Sequence, residues 1–167
     1  MNAGHTASGA GYGAVGFINE SEETRKVVNA VNRYLTGKGH TVIIDNVESA
    51  KSQSAYLYEV ANNANKHADA DLFVSFHFNA GGGTGSECYT WRGQKTAAAV
   101  GICAELNKYG FRNRGVKDGS GLYVISKTKM PAVLVEVCFV DNQADYTLYK
   151  KLGVNIVAQA ITRGISK

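Results

Sequence analysis

The stretch Ala132 to Val140, Ala-Val-Leu-Val-Glu-Val-Cys-Phe-Val, holds one polar side chain among nine residues. It is short and rich in β-branched residues, so it reads as a strand rather than a helix. A strand that is apolar on both of its alternating sides is covered on both faces, which calls for helices above and below a sheet. A second run of this kind, Asp71 to Phe78 (Asp-Leu-Phe-Val-Ser-Phe-His-Phe), demands the same cover.

The segments between supply it. Asn19-Glu20-Ser21 opens a helix whose Val27, Val28, Val31, Tyr34 and Leu35 share one face. Glu20, Glu22 and Glu23 crowd its first turn, where the helix dipole favours acids, and Gly37 and Gly39 close it. Ser52 or Ser54 begins a second helix with Leu57, Val60, Ala61 and Ala64 inward. A third runs from about Lys95 to Tyr109 on Ala99, Ile102, Cys103 and Leu106, and a last one carries Leu152, Ile156, Val157, Ala160 and Ile161. Thr41–Asp45, Glu87–Arg92 and Leu122–Ile125 read as further strands, and Gly81 to Gly85 as a glycine loop. Strands alternating with helices predict an α/β fold, with a mostly parallel central sheet of about six strands flanked by helices on both faces. With 167 residues and no linker, repeat or low-complexity tract, one domain over 1–167 is expected.

Composition removes several classes. A hydrophobic share of 44% against 19% charged residues is enough to bury a core. No apolar run approaches the ~18 residues that would insert in a membrane. The net charge of +4 suits an anionic partner but is too spread out to mark a nucleic-acid binder. Cys88, Cys103 and Cys138 form no Cys-x-x-Cys pair and read as small buried hydrophobes. Met1 leads at once into Gly4-His5 without a basic start and an apolar stretch, so no signal peptide is visible and export would use something outside these residues.

The informative residues are polar groups standing against the pattern. Within the apolar run, Val133, Val135, Val137 and Phe139 should point one way, and Leu134, Glu136 and Cys138 the other. A carboxylate there costs several kcal/mol unless it is paired, protonated or at work. His77 stands near the carboxyl end of its strand, where open α/β sheets bind ligands, and imidazole is a ready metal ligand or acid–base group. His5 begins a loop of small residues, and Glu20 begins a helix. His40, ahead of a strand, and His67, at a helix end, read as structural. Two histidines and two isolated carboxylates with no cysteine pair fit one arrangement. Two His and one Glu hold zinc with an open fourth position, and the other Glu acts as base. No His-Glu-x-x-His makes such a site local.

Other chemistries fit poorly. Gly11-Tyr-Gly-Ala-Val-Gly16 spells a dinucleotide fingerprint, but no strand leads into it and the helix starts later, at Glu20. No Gly-x-Ser-x-Gly elbow is present for a serine hydrolase. A non-catalytic binding domain on the same fold would lack a ligand or the base.

In order along the chain, Asn2-Ala3-Gly4-His5, Asn19-Glu20 opening a helix, Ser75-Phe76-His77-Phe78-Asn79-Ala80 and Val135-Glu136-Val137-Cys138-Phe139 resemble zinc-dependent N-acetylmuramoyl-L-alanine amidases of the Amidase_3 type. The resemblance is to the catalytic domains of phage endolysins of Gram-positive hosts, and it spans nearly all residues. Arg112-Asn113-Arg114-Gly115 and Val140-Asp141-Asn142 add to it. It implies Zn2+ as cofactor, with His5, Glu20 and His77 as ligands and Glu136 as the catalytic glutamate. Glu22 and Glu23 lie close by; Glu20 is preferred because it stands 20 residues ahead of His40. It further implies hydrolysis of the amide between N-acetylmuramic acid and L-alanine in cell-wall peptidoglycan, and release from the cell by a holin-type or lytic route. Asn79, with the glycine loop, would border the cleft, and Arg112 and Arg114, with Lys117, would meet stem-peptide carboxylates. Tyr89 and Trp91 are candidates for a sugar platform, with strand packing the plainer role. The pattern departs from the family at its start, since only four residues precede His5. Endolysins of this family usually add a C-terminal wall-binding module beyond the catalytic part.

Overall fold

The computed structural model describes residues 1–167. Its strands are β1 (Asn2–Ala3), β2 (Phe73–Asn79), β3 (Ser86–Thr90), β4 (Asn113–Asp118) and β5 (Ala132–Phe139), and its helices α1 (Glu20–Thr36), α2 (Gln53–Asn65), α3 (Ala97–Lys108), α4 (Tyr123–Lys127) and α5 (Gln143–Ile165). The five strands form one sheet in the order β1-β2-β5-β3-β4. β1, β2 and β5 run parallel; β3 is antiparallel to β5, and β4 is parallel to β3. The α/β architecture and the mostly parallel sheet are as expected. The count is five strands rather than about six.

The two apolar runs form the middle of the sheet. Val74, Phe76 and Phe78 of β2 and Val133, Val135 and Val137 of β5 enter a core of 26 buried residues with Val27, Val28 and Val31 of α1, Ile102 and Leu106 of α3, and Ile161 of α5. On the other face Phe73 and Leu134 pack with Tyr56 and Val60 of α2 and Val124 and Ile125 of α4. Side chains cap the starts of α1, α2 and α5: Asn19 accepts from the Glu22 amide, Ser52 (not Ser54) from that of Ala55, and Asn142 from those of Ala144 and Asp145. All three cysteines are free and buried.

Three local expectations are corrected. Leu122–Ile125 is not a strand; it lies at the short helix α4, where Val124 and Ile125 fill the smaller core. Asn113–Asp118 is a strand that hydrophobic patterning misses, because it carries one large apolar residue, Val116. Thr41–Asp45 forms no strand and lies outside the sheet. Met1 offers it the only backbone bonds it has: the Met1 ammonium donates to the Ile43 carbonyl at 2.7 Å, and the Asp45 amide donates to the Met1 carbonyl at 3.1 Å.

The alternation along β5 also slips. His77 pairs with Glu136, but Asn79 pairs with Phe139, so Val137 and Cys138 together oppose Phe78. This is a β-bulge. Val137 and Cys138 both enter the larger core, and Phe139 returns to the face of Glu136. The expected grouping of Cys138 with Leu134 and Glu136, and of Phe139 with the valines, therefore fails beyond Val137.

Candidate metal centre and active site

Four elements deliver polar groups to the carboxyl ends of the parallel strands, the usual ligand position in open α/β sheets. His5 follows β1 by two residues and holds a left-handed backbone, φ 67°. Glu20 is the first residue of α1, His77 lies near the end of β2, and Glu136 lies beside it on β5. The approach is close: a β-carbon on Gly4 would stand 2.3 Å from the His77 ring, and one on Gly13 would stand 2.8 Å from Glu20 Oε2.

The structure brings His5, Glu20 and His77 together. Glu20 Oε1 lies 3.1 Å from His5 Nε2 and 3.2 Å from His77 Nδ1. One donor atom from each of the three lies within 4.8 Å of the others. A tetrahedral ion with bonds of about 2.0 Å separates its ligands by about 3.3 Å, the scale of these contacts. The remaining atoms are held by a second layer. His5 Nδ1 donates to the Gly11 carbonyl at 3.0 Å, and Ser75 Oγ lies 3.1 Å from His77 Nε2. Such outer partners fix which ring nitrogen faces a metal. Glu20 also accepts from the Phe78 amide at 3.0 Å and the Ala14 amide at 2.9 Å. Tyr56 lies parallel to the His5 ring, with centroids 6.4 Å apart. Glu22 and Glu23 turn elsewhere, to Asn19 and to Lys26 and Tyr149.

Charge is balanced around Glu20. Burial favours its neutral form, but its bonds to His5 and His77 and their charge hold its carboxyl well below the usual carboxylate range. Burial also works against a charged His5, yet the Glu20 carboxylate outweighs it and raises His5. For His77 burial wins and lowers it.

Glu136 is a different carboxyl. Burial, then the charges of Glu20 and Glu87, raise it to about 8. Its Oε2 is buried with no hydrogen-bond partner. An orphaned carboxylate oxygen beside a cluster of metal-type donors is what a site built around a cation and a water would leave.

Directly across from Glu136 on β3 is Glu87, which sequence reasoning did not single out. Glu87 is buried, and its Oε1 accepts from Asn79 Nδ2 at 2.8 Å and the Tyr89 hydroxyl at 2.9 Å. Its Oε2 accepts from Arg114 Nε at 2.6 Å. Arg114 also lies over the Phe139 ring, 5.0 Å from its centroid. Asn79 and Arg114 thus belong to one wall beside Glu136. Arg112 and Lys117 do not join it; both are exposed. The reason is local: Ser86 pairs with Asn113 but Cys88 with Val116, and this shift, with Gly115 at φ 79°, parts Arg114 from its basic neighbours. The glycine loop is tied down at the start of α5. Asp141 accepts from the Gly81 and Gly82 amides, and Asp145 from Thr84 Oγ and the Gly85 amide. Trp91 sits exposed in a short turn after β3, not in the strand, and Tyr89 is engaged by Glu87. His40 and His67 lie away from this cluster; His67 faces Asp45 at 3.6 Å and His40 faces Ser166 at 3.4 Å.

Gly4→Ala tests the packing without touching a donor. The new methyl would displace the His77 ring, so metal affinity should fall about 10–100-fold while the helical spectrum is kept. Metal content after dialysis checks it; full retention would contradict the tight approach.

The chain is 34% identical to an endolysin of Bacillus phage SPP1 over 180 residues, covering all of this chain and 64% of that protein. It is also 34% identical to the N-acetylmuramoyl-L-alanine amidase CwlM of Bacillus licheniformis, covering 98% of this chain and 64% of the relative. The chain spans about half to two-thirds of the length of such relatives. Among solved structures, the catalytic domain of an endolysin targeting Clostridia Difficile superposes with a TM-score of 0.91 at 30% identity, covering 99% of this chain and 94% of that one. The catalytic domain of CwlV, an N-acetylmuramoyl-L-alanine amidase from Bacillus (Paenibacillus) polymyxa, gives 0.76 at 29% identity, covering 99% and 93%. A family model described as N-acetylmuramoyl-L-alanine amidase matches residues 1–167, and the chain belongs to that family, Amidase_3.

Proposed function

We propose that this chain is a zinc-dependent N-acetylmuramoyl-L-alanine amidase domain, folded as one unit over 1–167. Its substrate is cell-wall peptidoglycan, and it cleaves the amide between the lactyl group of N-acetylmuramic acid and L-alanine. The observation that carries the reading is the convergence of His5, Glu20 and His77 beside a buried carboxyl with a free oxygen. His5 Nε2, His77 Nδ1 and a Glu20 oxygen are the donors that would hold zinc. When bound, zinc supplies the acidity that makes water a nucleophile near neutral pH and the charge that polarises the amide carbonyl.

The rest falls to side chains. Glu136 takes the proton of the attacking water, as its unpartnered oxygen and near-neutral titration suit it to do. It then passes the proton to the departing alanine amine. Ser75 and the Gly11 carbonyl keep the two imidazoles in orientation. Arg114, held by Glu87 and resting on Phe139, faces a stem-peptide carboxylate, and Asn79 borders the same wall. Arg112 is left as an outer contact for the anionic polymer. The setting is endolysin-type lysis of the wall, with release by a holin-type or lytic route. No helix is long and apolar enough to cross a membrane.

The test is metal content together with the product released from a defined muramoyl-peptide. Zinc at one per chain and a new L-alanine amino terminus are expected. Cleavage elsewhere in the stem would refute the substrate assignment. Glu87→Gln, which weakens the hold on Arg114 and Asn79, should raise KM several-fold and change kcat less. Steady-state kinetics on a substrate with a free stem carboxylate should show the effect, and its amidated counterpart should not.

A further inference from the structure

Trp91 is the only tryptophan in the chain, and it stands exposed. The turn after β3 holds it there. Arg92 takes a left-handed backbone, φ 53°, its amide donates to Ser120 Oγ at 3.0 Å, and its guanidinium lies over the indole, 5.6 Å from the ring centroid. A non-glycine residue in that region is uncommon and costs energy that its surroundings must offset. Beside the turn is a cavity of about 410 Å³ between the end of β3, the end of α4 and the start of β5. Trp91 lines it and Arg92 does not, so the indole meets it with its uncovered side. The floor is apolar, with Ile125 and Met130 both buried. The walls are polar. Gln94 is fixed through its backbone, which donates to the Trp91 carbonyl and accepts from Thr90 Oγ1, while its side-chain amide makes no hydrogen bond in the protein. The Ser126 and Thr128 hydroxyls donate to the Tyr123 and Val124 carbonyls, which leaves their oxygens as acceptors. Lys129 is exposed at the mouth. Glu87 faces Glu136, and Trp91 lies four residues further on, so roughly 13 Å of backbone separates this cavity from Glu136.

We propose that this cavity is a second sugar site, one that binds an N-acetylated pyranose of the wall glycan away from the metal centre. An indole offers a wide, rigid apolar face with a polar edge, and the C–H face of a pyranose lies flat on it. The Gln94 amide carries a donor side and an acceptor side, the match for the C=O and N–H of an acetamide. Ser126 and Thr128 accept from sugar hydroxyls, and Lys129 donates to a sugar oxygen at the mouth. An apolar floor with a few fixed polar groups is the usual make-up of a small-ligand pocket. The choice of wall glycan as the source rests on the amidase reading; the sugar chemistry rests on the cavity alone. A glycan gripped here keeps the domain on its polymer between cleavages. It raises the local concentration of scissile amides with no new contact at the metal centre.

Because Trp91 is the sole indole, its emission reports this site directly. Chitotetraose, which has acetamido sugars and no stem peptide to cleave, should shift that emission in a saturable way. Gln94→Ala should weaken the binding about fivefold, as loss of a hydrogen-bonding amide does, and Glu136→Gln should leave it unchanged. Maltotetraose, which lacks acetamides, should bind more weakly by a similar factor. On sacculi, Gln94→Ala should raise the wall concentration for half-maximal turnover several-fold, while turnover of a soluble muramoyl-peptide stays as in the parent. The proposal is overturned by no saturable change with chitotetraose, by an equal response to maltotetraose or to a free stem peptide, or by a Gln94→Ala protein that binds chitotetraose or works on sacculi as the parent does. Sugar binding is read without hydrolysis, so it can fail while the amidase reading stands, and the reverse.

Discussion

Glu136→Gln should abolish turnover, by about 10²–10⁴-fold in kcat, while the metal stays bound. Glutamine keeps the shape of the side chain and cannot accept the proton of the attacking water. Release of alanine amino termini from sacculi measures it, with metal content read on the same sample. Near-wild-type hydrolysis would remove Glu136 from the base role. The same substitution should make the metal-free protein more stable at high pH. The carboxyl titrates at about 8 in the fold against an ordinary 4.5, because it is buried and lies near Glu20 and Glu87. The unfolded chain therefore releases this proton first, and stability falls as pH rises through that window and stays low above it. Removing the group removes the loss, which is on the order of a few kcal/mol at most. Melting curves in chelator between about pH 5 and about pH 9 should cross, with the variant higher at the alkaline end. A site that costs stability where it does its chemistry is a familiar exchange.

His77→Ala should remove both the metal and the activity. Loss of one of three protein donors lowers affinity steeply, and Glu20 would keep only His5 of its two imidazole partners. Turnover should drop below detection, and one equivalent of zinc should no longer survive dialysis. The fold should persist, since the core beneath is carried by Phe76 and Phe78. If His77→Ala retained stoichiometric zinc, the donor set would be wrong. In the parent protein, zinc should be lost as pH falls, because a proton competes for the same ring nitrogen. His5 is the sensitive partner: Glu20 raises it, so its competition begins at a higher pH than for a free imidazole.

Much of this was legible in the residues, for identifiable reasons. An acid among valines and a histidine ending an apolar strand are costly where they stand, so Glu136 and His77 showed themselves. Glu20 and His5 are ordinary in isolation, and gained meaning only from their order along the chain. Glu87 was missed because Ser-Glu-Cys-Tyr alternates like any half-buried strand; its role comes from Asn79 and Arg114, contributed by other strands. β4 was missed because strand pairing, not side-chain apolarity, holds Asn113–Asp118 in place. Thr41–Asp45 has the right residues for a strand and lacks a partner, and pairing is not written in the segment itself.

The bulge at Val137–Cys138 has a consequence for engineering. Inserting one residue between Cys138 and Phe139 would carry the alternation one step further and turn the phenyl ring of Phe139 into the interior. Arg114 would lose the aromatic shelf under its guanidinium, although His5, Glu20, His77 and Glu136 were all unchanged. The wall that holds Arg114 would then be remade by a frame change in one strand.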